Sequence, residues 1–207
     1  MSKGVVGSAK LIPLFPTHIM KFPLFDEYEN WDGLLAQLIE AETSEKVIVE
    51  GNAQTSYNED WRTKSYLLDY LPELSSLMLT CLSTYARHNN QIAPIIDDSW
   101  YTIMHKGSKV QRHRHEGSAI SGTLFVNAPE GSQGLAFANP TIPHRMAERQ
   151  HQSGQDYAHL EEVESGDLLI YPSWMEHFVP TIDCDHRTTI SFNSHYPVYT
   201  KNNTVTT

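Results

Sequence analysis

From about Asp97 onward the chain is a succession of short runs rich in β-branched and aromatic residues, and this pattern constrains the fold more than any other feature. The runs are WYTIM (100–104), SGTLFVN (121–127), GLAFANP (134–140), GDLLIYP (166–172) and RTTISFN (187–193). Gly, Pro, Asn and Asp separate them. β-Branched and aromatic side chains suit a pleated, half-buried surface, and the separating residues are those that make turns. A helical pattern interrupts the series only near residues 144–152. Several short strands punctuated by turns predict an all-β sandwich or barrel.

The first half of the chain reads differently. Residues 30–43 place Leu34, Leu35, Leu38 and Ile39 on one face of a helix. A second helical stretch spans residues 63–88 and is best defined from Pro72, a residue suited to the first turn of a helix and not to its interior. Leu74, Leu77, Met78, Cys81 and Leu82 recur on one face of it. That stripe is read as a helix packed on a sheet, in preference to a groove for a partner. The expected architecture is mainly β with flanking helices. One domain would cover residues 1–207, with a helical part over 1–96 packed on a barrel core over 97–200 and a frayed end, KNNTVTT.

Composition narrows the function classes. A chain of 207 residues with 40% hydrophobic and 19% charged residues is long enough for a full core. No apolar run approaches the ~18 residues of a membrane span, and the first ten residues carry no signal-peptide core, so a cytoplasmic protein without a membrane association is expected. Cys81 and Cys184 are too few for a disulfide scaffold and are read as small buried hydrophobes. A net charge of −10 argues against a nucleic-acid partner, which favours a basic surface.

Eleven histidines, most of them between His105 and His195, are the unusual count. Number alone decides nothing, because histidine is both the commonest metal ligand and an ordinary surface residue. Spacing is more informative. On an extended chain His113 and His115 point to the same side and so can grip one ion; the plain alternative is a solvated pair on a basic loop. His177 follows a buried strand and a turn, 62 residues after His115 (177 − 115 = 62), a separation that suits a barrel whose chain leaves a site and returns to it. In the last run, Arg187, Thr189, Ser191 and Asn193 share one face, with Ile190 and Phe192 on the other. Arg187 lies ten residues beyond His177 (187 − 177 = 10), far enough to cross one turn and come back beside it. Iron(II) that activates dioxygen needs three protein ligands on one face and open positions opposite. An oxo-acid cosubstrate chelating there has a far carboxylate that needs a cation and a hydroxyl, for which Arg187 with Ser191 or Thr189 is suited.

The stretch HRHEGSAISGTLFVN, then GLAFANP, then SGDLLIYPSWMEHFVPTIDCDHRTTISFN, resembles the prolyl-hydroxylase-like branch of the 2-oxoglutarate and iron(II)-dependent oxygenases, and within it a group of small bacterial and phage oxygenases. The resemblance covers about residues 98–196. It implies a double-stranded β-helix with flanking helices and an enzyme that hydroxylates a peptide side chain or a small molecule while converting 2-oxoglutarate to succinate. Carried over residue by residue, it implies that His113, His115 and His177 ligate iron(II). It implies too that Arg187 binds 2-oxoglutarate, with Ser191, Thr189 and Asn193 as neighbours on its strand. The commonest triad of that superfamily has an acid where His115 stands. Glu116 is adjacent, but on an extended strand it points away.

Two other classes compete. A cupin motif begins with Gly107 and His113-Arg114-His115, and a second begins with Gly166, Pro172 and His177. The glutamate that a cupin usually supplies is missing, because positions 119 and 120 are Ala and Ile. A non-catalytic barrel for a small ligand is the third class. Of the remaining residues, Trp100 and Trp174 are candidates for the mouth of the site, with a core role favoured for Trp100. Asn139 is read as a turn residue before Pro140 in preference to a cavity residue. The polar segment 141–164 is read as a mobile lid whose His144, His151 and His159 are solvated.

Overall fold

The computed structural model describes residues 16–40, 49–51, 53–57, 66–141, 158–199 and 205–206. Three strands precede the β-rich half: β1 (Met20–Pro23), β2 (Val49–Glu50) and β3 (Ala53–Thr55). Between and after them come α1 (Trp31–Glu40) and α2 (Pro72–His88), and Pro72 does open its helix, at the position where no backbone N–H is needed. The five runs read from the sequence become β4 (Ile95–Met104), β6 (Ile120–Asn127), β7 (Leu135–Ala138), β9 (Asp167–Pro172) and β11 (Arg187–His195). The series is completed by β5 (Lys109–His113), β8 (Ala158–Glu161), β10 (His177–Val179), β12 (Val198–Tyr199) and β13 (Val205–Thr206).

Two antiparallel sheets face one another. The larger has the order β1-β9-β6-β11-β4-β3 and the smaller the order β2-β5-β10-β7-β8. From β4 to β11 the chain crosses from one sheet to the other at every step except the β7–β8 hairpin, the winding of a double-stranded β-helix.

Period-two alternation divides the buried residues into two cores. On the outer face of the large sheet, Tyr101, Ile103, Leu124, Leu168, Ile170, Ile190 and Phe192 pack against Leu34 and Leu38 of α1 and Leu74, Met78 and Leu82 of α2. Between the sheets lie Met104, Phe125, Leu135, Phe137, Leu169, Tyr171 and Val179. Gly122 permits a tight fit in the outer layer. It is the cross-strand partner of Phe192, and a Cβ at that position would sit 2.3 Å from the phenyl ring.

The N-terminal part is more than a helical cover, because β1 and β3 form both edges of the large sheet and β2 forms one edge of the small one. The segment read as a lid ends in a strand: Ala158–Glu161 pairs with β7, and Lys21 of β1 bridges to Glu161 at 2.8 Å. Residues 142–157, including His144, His151 and the helical pattern near 144–152, lie outside the described residues. At the end of the chain, where fraying was expected, Val205–Thr206 pairs with Val198–Tyr199. Cys81 is buried and Cys184 half-buried, both as free thiols. Among the described residues no helix is long and apolar enough to cross a membrane.

Candidate metal and cosubstrate site

The first two histidines sit at and just beyond the end of β5, and the third opens β10. His113 and His177 are direct cross-strand partners in the small sheet, so their side chains rise on the same face. His115 lies two residues further on, past the end of β5, and its position is tied at one point: the His115 N–H donates to the Ser173 carbonyl at 3.0 Å. The result is a cluster in which one nitrogen from each ring lies within 4.8 Å of the others.

The tautomers are set by the backbone. Nδ1 of His177 donates to the Met175 carbonyl at 3.0 Å, and Nδ1 of His113 donates to the Gln111 carbonyl at 2.8 Å. A carbonyl can only accept, so each ring carries its lone pair on Nε2. Nε2 of His177 faces Nε2 of His115 at 3.3 Å. Ligands about 2.1 Å from a metal and at right angles are about 3 Å apart, so the pair suits two sites of a facial triad. Burial holds all three rings neutral: it lowers His113, drives His115 well below its usual range with help from His177 and His113, and takes His177 down to about 3. Neutral imidazoles with oriented lone pairs are what a divalent transition metal requires. Glu116 is exposed and paired with Arg114, and among the described residues no acid joins the cluster.

Arg187, Thr189 and Ser191 line the same cavity as the histidines. Arg187 is only 2% exposed. Its Nη1 reaches Met104 Sδ at 3.3 Å, its guanidinium lies 5.0 Å over the Phe125 ring, and its Nη2 has no hydrogen-bond partner. Desolvation lowers it to about 10, so it remains charged at neutral pH. A buried cation with an unmet donor, in a cavity lined by no carboxylate among the described residues, calls for an anion.

Asn193 departs from the expectation placed on it. It lies on the expected face of β11, but its Oδ1 accepts from Ser121 Oγ at 2.8 Å, and Ser121 in turn meets Ser173 Oγ at 2.8 Å. It does not line the cavity. Two residues further along the strand than Ser191, it ties β6, β11 and the turn before β10 together. Asn139 is a turn residue, its Oδ1 accepting from the Thr141 N–H at 2.9 Å. His159 is exposed and paired with Glu161. Trp174 is exposed and away from the cavity, whereas Trp100 is both buried and part of the lining.

Several lining residues were not singled out in the sequence. Thr55 and Tyr57 come from the N-terminal part, Thr102 from β4, Thr123 from β6 and Tyr171 from β9. Tyr171 Oη lies 3.1 Å from Thr123 Oγ1 and 3.4 Å from His177 Nε2. Period-two parity along GDLLIYP is the signal that points Tyr171 inward with Leu169, although it is muted because both faces of that strand are buried.

The fold is a double-stranded β-helix, and its histidine-lined cavity has the geometry to hold a metal ion. In sequence, residues 98–193 match the family described as "Putative 2OG-Fe(II) oxygenase". Over that stretch, a little under half of the chain, the sequence is similar to the 2-oxoglutarate and iron(II)-dependent oxygenases. No curated protein matches it in sequence. Solved structures share the fold at low identity. HygX from Streptomyces hygroscopicus, with nickel, 2-oxoglutarate and hygromycin B bound, is 12% identical with a TM-score of 0.58, covering 89% of this chain and 85% of HygX. A prolyl hydroxylase from Trichoplax adhaerens, in complex with a peptide fragment of the hypoxia inducible factor oxygen degradation domain, is 11% identical with a TM-score of 0.56, covering 85% of this chain and 83% of that one. The α-ketoglutarate-dependent epimerase SnoN from nogalamycin biosynthesis is 11% identical with a TM-score of 0.61, covering 87% and 79%.

Proposed function

We propose that this protein is a 2-oxoglutarate-dependent oxygenase in which His113, His115 and His177 hold iron(II) and Arg187 receives the far carboxylate of 2-oxoglutarate. The observation that carries the reading is the meeting of two complementary halves in one cavity: three oriented imidazole donors and a buried guanidinium with an unmet donor. Iron(II), when bound, supplies the site at which dioxygen is reduced as 2-oxoglutarate is decarboxylated to succinate and the substrate is hydroxylated.

The residues of the chain do the rest. The Nδ1 bonds to Met175 and Gln111 orient two of the ligand rings before any metal arrives. Arg187 fixes the cosubstrate's long axis, with the hydroxyls of Thr189 and Ser191 on the same strand face. The apolar walls, Met104, Leu135 and Val179, exclude water from the cavity. Three neutral ligands leave the charge of the metal undiminished, and with Arg187 the cavity presents an excess of positive charge to a dianion. The substrate is a peptide side chain or a small molecule, in keeping with the peptide and the antibiotic held by the similar structures.

The test is anaerobic titration of the iron(II)-loaded protein with 2-oxoglutarate, followed by admission of oxygen. A charge-transfer absorption band on titration and oxygen-dependent succinate formation are expected. No band at millimolar cosubstrate would overturn the assignment.

A further inference from the structure

The backbone of His115 is held differently from those of its two partners. His113 and His177 are paired across β5 and β10, but His115 lies beyond the last residue of β5. Its place is fixed by Ser173. The His115 N–H donates to the Ser173 carbonyl at 3.0 Å, and the Ser173 N–H donates to the Ala119 carbonyl at 3.2 Å. One residue therefore holds both ends of the loop 115–119. Ser173 is in turn anchored by its side chain to the opposite sheet. Its Oγ lies 2.8 Å from Ser121 Oγ on β6, and Ser121 Oγ donates to Asn193 Oδ1 on β11 at 2.8 Å. Protons fix the direction of this chain. The single proton of Ser121 goes to Asn193 Oδ1, which can only accept, so Ser173 donates to Ser121. Ser173 is 0%, Ser121 1% and Asn193 5% exposed.

We infer that Ser173 is a positioning residue for the metal centre: the buried chain Ser173–Ser121–Asn193 carries the rigidity of the large sheet to the loop that bears His115, and so sets where the third ligand stands. The role rests on the reading of the three histidines as a metal site. It needs no contact with ion or cosubstrate, and none of these three side chains lines the cavity. The far end of the chain is firm, because Ser121 and Asn193 are direct cross-strand partners in the middle of the large sheet. The near end is firm because a buried hydroxyl that turned away from its partner would be left unmet. Apolar side chains would fill the same corner without any desolvation cost. Three polar groups that satisfy one another there hold a single geometry instead, and that geometry ends on the backbone of a ligand.

The experiment titrates the full chain with cobalt(II) alone, as wild type, Ser173→Ala and Ser121→Ala, each also combined with His115→Ala. Competition with a chromophoric chelator gives the affinity, and the visible d–d spectrum reports the coordination. With His115 present, both substitutions should lower affinity on the order of tenfold, as the loss of a partner that orients a ligand usually does, and should change the d–d bands. With His115 replaced, they should alter neither the weaker residual affinity nor its spectrum, since no third ligand is left to place. Equal loss in both backgrounds would overturn the inference, by showing that the chain acts on the turn before His177 or on the barrel at large. Unchanged affinity and spectrum with His115 present would overturn it as well. Either substitution decides the matter should the other fail to fold. Failure of both to fold would overturn it too, by showing that the chain holds the barrel together and not one ligand. A wild type that binds no cobalt(II) would overturn the metal-site reading and this inference with it.

Discussion

The indole of Trp100 lies over the imidazole of His115, with 5.8 Å between ring centroids and 29° between the planes. Tyr57 backs the indole at 4.8 Å. His115 is the one triad member for which the structure gives no hydrogen bond from Nδ1 to a backbone carbonyl, so stacking does for it what Met175 and Gln111 do for the others. Trp100→Ala should lower iron(II) affinity on the order of tenfold, the usual effect of losing a partner that orients a ligand, while all three ligands remain. Trp100→Phe should keep most of the affinity. Competition with a chromophoric chelator measures both.

Removing a ligand is a harsher test. His113→Ala, His115→Ala and His177→Ala should each abolish tight metal binding with the fold retained, because none of the three rings is a large core side chain. His159→Ala should bind metal as the wild type does, since that ring is exposed and engaged with Glu161. Elemental analysis of the four purified variants decides it, and equal metal content in all four would contradict the site.

Arg187 joins function to a stability cost. Its guanidinium is buried, and among the described residues no carboxylate lines its cavity, so the charge is costly to hold there. Arg187→Ala should weaken 2-oxoglutarate by roughly 30-fold or more, and Arg187→Lys should recover only part, since an ammonium lacks the planar fork. Arg187→Met fills a similar volume without charge. It should raise the melting temperature of the ligand-free protein by a few degrees and erase the further rise that 2-oxoglutarate gives the wild type. Differential scanning calorimetry with and without cosubstrate measures both effects.

Gly122→Ala should destabilise the protein by about 1–3 kcal/mol, the usual cost of overpacking a core. The added methyl would meet the Phe192 ring at 2.3 Å on the face that packs against the helices. Phe192→Leu should relieve much of that cost when combined with it. Urea denaturation of the two single variants and the double variant gives the coupling.

Much of this was written in local pattern. RTTISFN alternates polar and apolar residues, so the face carrying Arg187, Thr189 and Ser191 was readable before any fold was known, and the spacing of His113 and His115 identified a shared side. Asn193 shows the limit: parity gives the face of a strand but not how far along it a cavity extends. GDLLIYP is buried on both faces, so its composition conceals which residues look inward, and Tyr171 passed as core. β1 and β3 have four and three residues, too few to show a period, and they become strands only because the large sheet has edges to fill. β8 is hidden for the opposite reason. As the edge of the small sheet it leaves His159 and Leu160 exposed side by side, and AHLE therefore shows no strand alternation.

The pairing of His113 with His177 has a mechanical side. A single ion gripped by both rings closes a loop of 64 residues (177 − 113 = 64) across two strands that are otherwise short, three residues in the case of β10. Cross-links that close long loops restrict the unfolded chain most, so an ion held there would act as a rivet in the small sheet while the large sheet stands on its own hydrophobic layer. Amide hydrogens of β5 and β10 should then exchange with deuterium many times faster after chelator treatment, while those of β6 and β11 change little. In assembly terms, the half of the barrel that carries the three histidines would then set last, around that ion.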